Sequence, residues 1–438
     1  MKVRLATIAS VLAMAVSSHH VRAAANDHAQ LETLARAMEP QVIAWRRHIH
    51  EHPELSNREV KTAKLVADHL KKLGLEVETG IAHTGVVALL EGAHPGPTLA
   101  LRADMDALPI VEKTDVPFKS RATSTYGGQT VGVMHACGHD AHVAIMMGVA
   151  EVLTKMRESL RGRVLFVFQP AEEGAPTGEE GGASLMLKEG LFAKHSPDAA
   201  FALHVWSALH AGEVGVRAGP FLAAADSYKI TVTGKQTHGS RPWQGIDPIA
   251  ASAQIITALQ SVTSKTIDIT TTPAVVSVGA IHSGVRQNII PDSAEMIGTI
   301  RTFDGTQRTA IMDSMRSIVV NIAAANGAQA TFDVLPGSYP VVLNDVDLTN
   351  RMLPALQRTA GSANVKTMPL VTGSEDFAFF AQQAPSLYFF VGVTPPDQDV
   401  TTAPPNHSDF FYIDERGLAV GLRAMTALAF DFLTTRER

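Results

Sequence analysis

Apolar positions recur along the chain at two periods, and the switches between them mark its elements. Residues 27–50 read as a helix with a break or kink expected at Pro40 and an end near His52-Pro53. A second helix spans 58–73 and closes at Gly74. Residues 86–90, 98–102, 164–168 and 199–203 are short apolar runs of the kind buried on both faces of a sheet. Between them, 141–156 carries Ile145, Met146, Val149, Val152, Leu153 and Met156 at helical spacing. Strands alternating with helices predict an α/β layer. After Gly219-Pro220 the order becomes strand 227–233, helix 247–265, strands 274–281 and 294–303, helix 304–326 and strand 328–335. That β-α-β-β-α-β order is ferredoxin-like. The α/β pattern resumes near Gly337, with a buried strand at 387–393 and a closing helix at 414–433. The expected plan is one α/β domain, 26–222 and 337–438, interrupted by a satellite at 223–336.

The first 25 residues follow a different rule. Lys2 and Arg4 precede an apolar stretch at 5–16, and Ala23-Ala24-Ala25 follows. This three-part layout is that of a secretory signal, so residues 1–25 are expected to be removed and the mature chain exported, periplasmic or secreted. The net charge of -6 supplies no basic field for nucleic acid, and no internal run approaches a membrane span.

The polar clusters fall at strand ends. Asp104 and Asp106 follow the 98–102 strand, Glu172-Glu173 follows 164–168, and His204 closes 199–203. Sites in open α/β sheets form beyond the carboxyl ends of strands, so these groups should share one rim. Cys137 is the only cysteine in 438 residues and has no disulfide partner within the chain. Taken alone a single cysteine reads as a small buried hydrophobe, but it stands two residues from His139, a spacing at which thiolate and imidazole can share a metal, and the histidines on both sides and the paired acids elsewhere favour metal chemistry. Adjacent carboxylates at 172 and 173 repel unless a cation or proton compensates. A metal could take one and leave the other as a general base; a solvated acidic turn, with Glu179-Glu180 close by, is the alternative.

Several stretches together resemble the M20 metallopeptidase family, in particular its amidohydrolase branch of hippurate, N-acyl-amino-acid and auxin-conjugate hydrolases. They are Arg47 to Leu55, Leu101-Arg102-Ala103-Asp104-Met105-Asp106-Ala107-Leu108-Pro109, His135 to His142, Gln169 to Gly174, Thr237-His238-Gly239-Ser240-Arg241-Pro242, Gln287 to Pro291, Gly373 to Phe377 and Asn406-His407-Ser408-Asp409.

The resemblance implies a two-metal, aminopeptidase-like α/β catalytic domain with the ferredoxin-like α+β satellite inserted. It implies two divalent ions per subunit, zinc first, with manganese, cobalt or nickel as alternatives. Cys137, His139, Glu173, His204 and His407 would be the ligands and Glu172 the general base. The broader family has a ligand histidine at the position of Arg102, which arginine cannot replace, being always protonated. Asp104 would orient a ligand or the site loop, and His142 would be a supporting or core residue. His48, His50 and His52 read as helix-end hydrogen-bonders. His238 would steady the oxyanion, often at a partner subunit's site; Asn288 would hold substrate, and Arg301 would pair with the substrate carboxylate or form a structural salt bridge. The implied reaction is metal-dependent hydrolysis of the amide of N-acyl-amino acids or short peptides, with a carboxypeptidase or dipeptidase as the nearest rival. A homodimer through the satellite and a small-molecule substrate are the expected partners. A metal-dependent binding protein without catalysis and a cysteine hydrolase using Cys137 are rivals from other classes.

Overall fold

The computed structural model describes residues 3–434, with side chains placed from Asn26 onward. The export signal expected over residues 1–25 therefore lies outside the residues described in full. The chain divides into two compact units. The first takes the residues up to Val216, Asp345–Thr367 and the chain from Gln383; the second takes Arg217–Asn344 and Met368–Gln382.

Among the described residues, the first unit is built on an eight-stranded mixed sheet. In space its order is Glu76–Ile81, Gly85–Glu91, Arg161–Gln169, His94–Asp104, Ala199–His210, Ser386–Thr394, Val214–Val216 and Val365–Thr367. The four strands from Arg161–Gln169 to Ser386–Thr394 run parallel, so their carboxyl ends open on one rim. Their central residues are fully buried, as the unbroken apolar runs require. The Glu76–Ile81 strand gave no periodic signal because it is a polar edge strand, half exposed along its length.

Helices cover the sheet with apolar stripes. The first, Val3–Glu51, buries Leu31, Ala35, Met38, Val42 and Ile49, spaced so that they fall on one face. It runs through Pro40 without the expected break. Pro40 is exposed, so the backbone bond it removes lies on the solvent side while the buried stripe holds the helix to the core. The helix His139–Lys155 is buried on almost every face, as is the closing helix Arg416–Thr434. Against the expectation that no internal run approaches a membrane span, the latter is long and apolar enough to cross one by length and composition, but most of it is core.

The second unit holds four antiparallel strands in the order Val275–Ser283, Ser293–Thr302, Ala224–Thr233 and Gln329–Val334. With the helices Pro248–Leu259 and Gly305–Ala325 this is the β-α-β-β-α-β module. Asp247 caps the first of these helices by accepting from the Ile249 and Ala250 amides. The unit is wider than 223–336. Gly219–Leu222 pairs with Val342–Asn344, and the Ala223 amide donates to the carbonyls of Val371 and Gly373, which ties 368–382 to it.

Pro40→Ala should restore a helix-interior amide at an exposed position and raise stability by about 1–2 kcal/mol, after allowing for the greater freedom of the unfolded chain. Thermal and urea unfolding of the two proteins checks this; an unchanged or lower midpoint would contradict it.

Candidate metal centre

The rim brings together Cys137, His139, Glu172, Glu173, His204 and His407. Cys137 and His139 flank Gly138, which precedes the helix His139–Lys155. Gly138 has φ +95°, and a Cβ there would lie 2.2 Å from Val205 Cγ2, so the turn presenting thiol and imidazole requires glycine. His204 comes from the Ala199–His210 strand. His407 sits in the left-handed region at φ 72°, its amide donating to the Ala136 carbonyl. The neighbouring Asn406 donates to the carbonyls of both Cys137 and Val205, stitching the cysteine turn to the histidine strand.

The thiol is the hub. Cys137 Sγ lies 3.2 Å from His204 Nε2 and 3.2 Å from His407 Nε2. His407 Nε2 is 3.2 Å from Glu173 Oε1. His139 Nε2 stands 3.8 Å from Glu173 Oε1 and 3.9 Å from Glu172 Oε2. Donor atoms of Cys137, His139 and His204 lie within 4.8 Å of one another, as do those of Cys137, Glu173 and His407, and those of His139, Glu172 and Glu173. All five expected ligands and the expected base thus converge.

The surroundings prepare these donors. His204 Nδ1 is 2.7 Å from the Val205 carbonyl and so carries the proton, leaving the Nε2 lone pair facing the thiol. Burial and then His142 hold His204 well below the usual imidazole range, which keeps it neutral. His142 has both nitrogens engaged. Nε2 accepts from the Val205 amide at 2.9 Å, and Nδ1 meets Asp104 Oδ1 at 2.5 Å. It is therefore a supporting residue. Asp104 also pairs with Arg102 Nη1 at 2.7 Å, and one of its oxygens is 3.7 Å from His139 Nε2. Burial would raise the Asp104 carboxyl, but Arg102, His139 and His142 outweigh it and hold it well below the usual range.

The donor set fits a divalent cation. Buried His139 has no well-aligned hydrogen bond among the described residues, its nearest acceptor being Asp106 Oδ1 at 3.4 Å from Nδ1, and Glu173 Oε1 is 3.2 Å from His407 Nε2. Burial pulls His139 down, yet Asp104, Asp106 and Glu173 overcome it and lift the group to about 10, so without a cation a proton is held there. Burial followed by the Glu173, Glu172 and Asp104 charges pushes the Cys137 thiol well above its usual value. A divalent ion removes both penalties at once, and thiolate, imidazole and carboxylate are donors that suit zinc and its neighbours.

Residues 100–431 match peptidase family M20/M25/M40. The chain belongs to this family. It is 43% identical to thermostable carboxypeptidase 2 of Saccharolobus solfataricus over 92% of this chain and 98% of that protein. It is 38% identical to the N-acetylcysteine deacetylase of Bacillus subtilis over 91% of this chain and 99% of that one. The solved YXEP protein of Bacillus subtilis, described as a dinuclear metal-binding peptidase from family M20, superposes with a TM-score of 0.75 at 36% identity, covering 92% of this chain and all of the other. This M20 chain is accordingly a metal-dependent amide hydrolase.

Other sequence expectations fall elsewhere in the M20 fold. His238, Asn288 and Arg301 belong to the second unit. His238 is exposed on a two-residue strand paired to Ile289–Ile290, and its Nδ1 accepts from the Ser240 amide. The Gly239 amide donates to the Asn288 carbonyl, so His238 and Asn288 are neighbours. Arg301 is half-buried, with Nη1 3.0 Å from Ser374 Oγ. His52 Nδ1 caps the His48 carbonyl, as expected of a helix end. His50 does more. It is buried and bridges Asp140 Oδ2 at 2.8 Å and Glu112 Oε1 at 3.1 Å, beside the Arg46–Asp140 ion pair at 2.8 Å. Asp140 stood inside the His135 to His142 stretch with no function assigned to it, and nothing in the sequence singled out Arg46. Asp106 was visible in the motif, but its function was not. It accepts the Glu172 and Glu173 amides, both at 3.0 Å, and the Ser56 hydroxyl at 2.7 Å.

Gly138→Ala should lower metal content and stability together. The left-handed backbone alone costs about 1–2 kcal/mol, and the Val205 clash forces the ligand turn to move. Metal analysis after dialysis, alongside thermal unfolding, measures both; a fully loaded, equally stable variant would show that the turn tolerates a side chain.

Proposed function

We propose that this M20 enzyme hydrolyses the amide of N-acyl-amino acids or related short peptides bearing a free carboxylate, releasing the amino acid. The observation that carries this reading is a second carboxylate, Glu172, set beside a complete donor set with Glu173 3.8 Å from His139. A purely metal-binding protein has no use for that extra base. The names of two relatives, N-acetylcysteine deacetylase and N-acyl-L-amino acid amidohydrolase, support the substrate class. The 43% identity to carboxypeptidases favours a second reading, removal of a C-terminal residue from a peptide on the same scaffold.

Cys137, His139, Glu173, His204 and His407 would hold two divalent ions, with zinc the first choice and manganese, cobalt or nickel the alternatives. Such ions would polarise the scissile carbonyl and acidify the attacking water. Glu172 accepts the proton of that water and delivers it to the departing amine. His238 donates a hydrogen bond to the oxygen on which charge develops. Asn288 and Arg301 bind substrate, Arg301 through its carboxylate. The strand Val275–Ser283 is an edge of its sheet, and we assign it the contact between two copies in a homodimer. The basic, apolar and small-residue order of residues 1–25 supports export after cleavage near Asn26; an intact Met1 on exported enzyme, read by N-terminal sequencing, would exclude this.

Glu172→Gln should cut turnover by about 10²–10⁴-fold while metal content stays at the wild-type level. The assay is metal-reconstituted enzyme against N-acetyl- and N-benzoyl-amino acids and blocked and free dipeptides, with products identified by mass spectrometry. Near-normal turnover in the variant removes Glu172 from the mechanism, and preference for longer peptides selects the carboxypeptidase reading.

A further inference from the structure

The turn that delivers Glu172 and Glu173 is held in an unusual way. Three consecutive backbone amides are taken by two buried carboxylates. The Ala171 amide donates to Glu59 Oε1 at 2.9 Å, and the Glu172 and Glu173 amides donate to the two oxygens of Asp106 at 3.0 Å each. Ala171 has φ +53°, a left-handed conformation that a residue with a Cβ adopts only under constraint. Glu59 is fully buried and also accepts from the Asn57 amide at 3.0 Å and the Thr84 hydroxyl at 2.5 Å.

The neighbours of Glu59 grip the same loop further along. Asn57, itself left-handed at φ 59°, donates from Nδ2 to Glu179 Oε2 at 3.1 Å and to the Glu180 carbonyl at 3.0 Å. Arg58 pairs with Glu179 at 2.5 Å, and Ser56 completes the set by donating to Asp106. Four successive residues, Ser56 to Glu59, thus hold the segment 171–180 at its start and its end, or hold the carboxylate that does so. Burying Glu59 close to Asp106 opposes folding, since like charges in a dry site repel. Burial, then Asp106, pushes the Glu59 carboxyl up to about 7. A position that costs stability and whose hydrogen bonds reach the strained residue ahead of the paired glutamates has the features of a site device.

We infer that Glu59 is a positioning residue, whose carboxylate fixes Ala171 in its left-handed conformation so that Glu172 and Glu173 project side by side into the metal centre. The inference rests on the reading of Glu173 as a ligand and Glu172 as the base, and its test separates the two. Glu59→Gln keeps an acceptor oxygen for the Ala171 amide. Glu59→Asp keeps the charge but withdraws it by one methylene, and Glu59→Ala removes both. Amide exchange of the peptide covering residues 170–174 is followed in metal-free protein, and zinc affinity is measured by chelator competition, with circular dichroism recording the fold.

In Glu59→Ala and Glu59→Asp the amides of residues 171–173 should exchange about tenfold faster or more, as expected for a lost hydrogen bond. Zinc affinity should fall by about 10–100-fold, the usual effect of removing a group that orients a ligand. Glu59→Gln should restore both to within about threefold of wild type. If Glu59→Ala does not fold, Glu59→Asp and Glu59→Gln carry the comparison. Unchanged exchange in Glu59→Asp, or wild-type zinc affinity despite faster exchange, overturns the inference. So does a Glu59→Gln protein as impaired as Glu59→Asp, because charge and not the amide contact would then be the cause. Wild-type zinc affinity in a Glu173→Ala control would instead overturn the ligand reading, while the exchange data still decide whether Glu59 holds the turn.

Discussion

Four carboxylates, those of Asp104, Asp106, Glu172 and Glu173, crowd around the buried imidazole of His139, beside the buried thiol of Cys137, at the carboxyl rim of the parallel strands. Negative charge concentrated in a dry site must find cations. Arg102 answers part of the demand by pairing with Asp104, and His139 answers more by holding a proton up to about 10. The remainder, with the raised thiol of Cys137, calls for a metal ion. Metal binding and folding are therefore coupled here. The ligands reach their mutual distances only in the folded rim, and a cation bound there would offset the negative charge that the fold has gathered.

The same constraint explains the buried ion network behind the rim. Asp140 lies in the first turn of the helix His139–Lys155, where a negative charge favours the helix and sits one residue from a ligand. Burial would raise its carboxyl, but Arg46 and then His50 drive it far below the usual range. Glu112, held by His50, Thr114 and the Ser120 amide, extends the network to the strap ahead of the Thr123–Tyr126 strand. Ion pairs of this kind add little net stability over an apolar core. Their value lies in direction. They fix where the first helix ends and where the helix His139–Lys155 begins, and that register sets the position of His139.

The second unit obeys a simpler logic. Its four-stranded sheet buries Tyr228, Ile230, Val232, Met296 and Ile300 against two helices, while His238 stands on a separate two-stranded ladder with Asn288 just ahead of that ladder's second strand. Arg301 is committed to Ser374, on a segment that returns to this unit long after the ferredoxin-like module has closed. A substrate-binding function for Arg301 has to coexist with that hydrogen bond.

Patterning along the sequence was sufficient for the α/β layer, the β-α-β-β-α-β module and the meeting of Cys137, His139, Glu172, Glu173 and His204 at one rim, because strand ends and helix starts are local features and chemistry-bearing residues cluster there; His407 was reached only through the resemblance to the M20 family. Local signals failed where stability came from elsewhere in the chain. Pro40 did not break its helix, since Leu31, Met38 and Ile49 were packed on a core that periodicity cannot see. The Glu76–Ile81 strand escaped notice because its order comes from pairing with Gly85–Glu91 and not from its own apolar content. The hairpin of Thr123–Tyr126 and Gln129–Gly132 turns at Gly127-Gly128, a two-residue turn signal that the reading of the sequence passed over. The assignments that only the tertiary structure could make are those of Asp106, Asp140, His50 and Glu59. Asp106, Asp140 and His50 stood in motif stretches that did not reveal what they do, Glu59 stood outside them, and each acquires its function from partners 50 to 112 positions away. Hydrogen bonds across such separations exist only once the sheet has assembled, so no window of sequence contains the donor and the acceptor together.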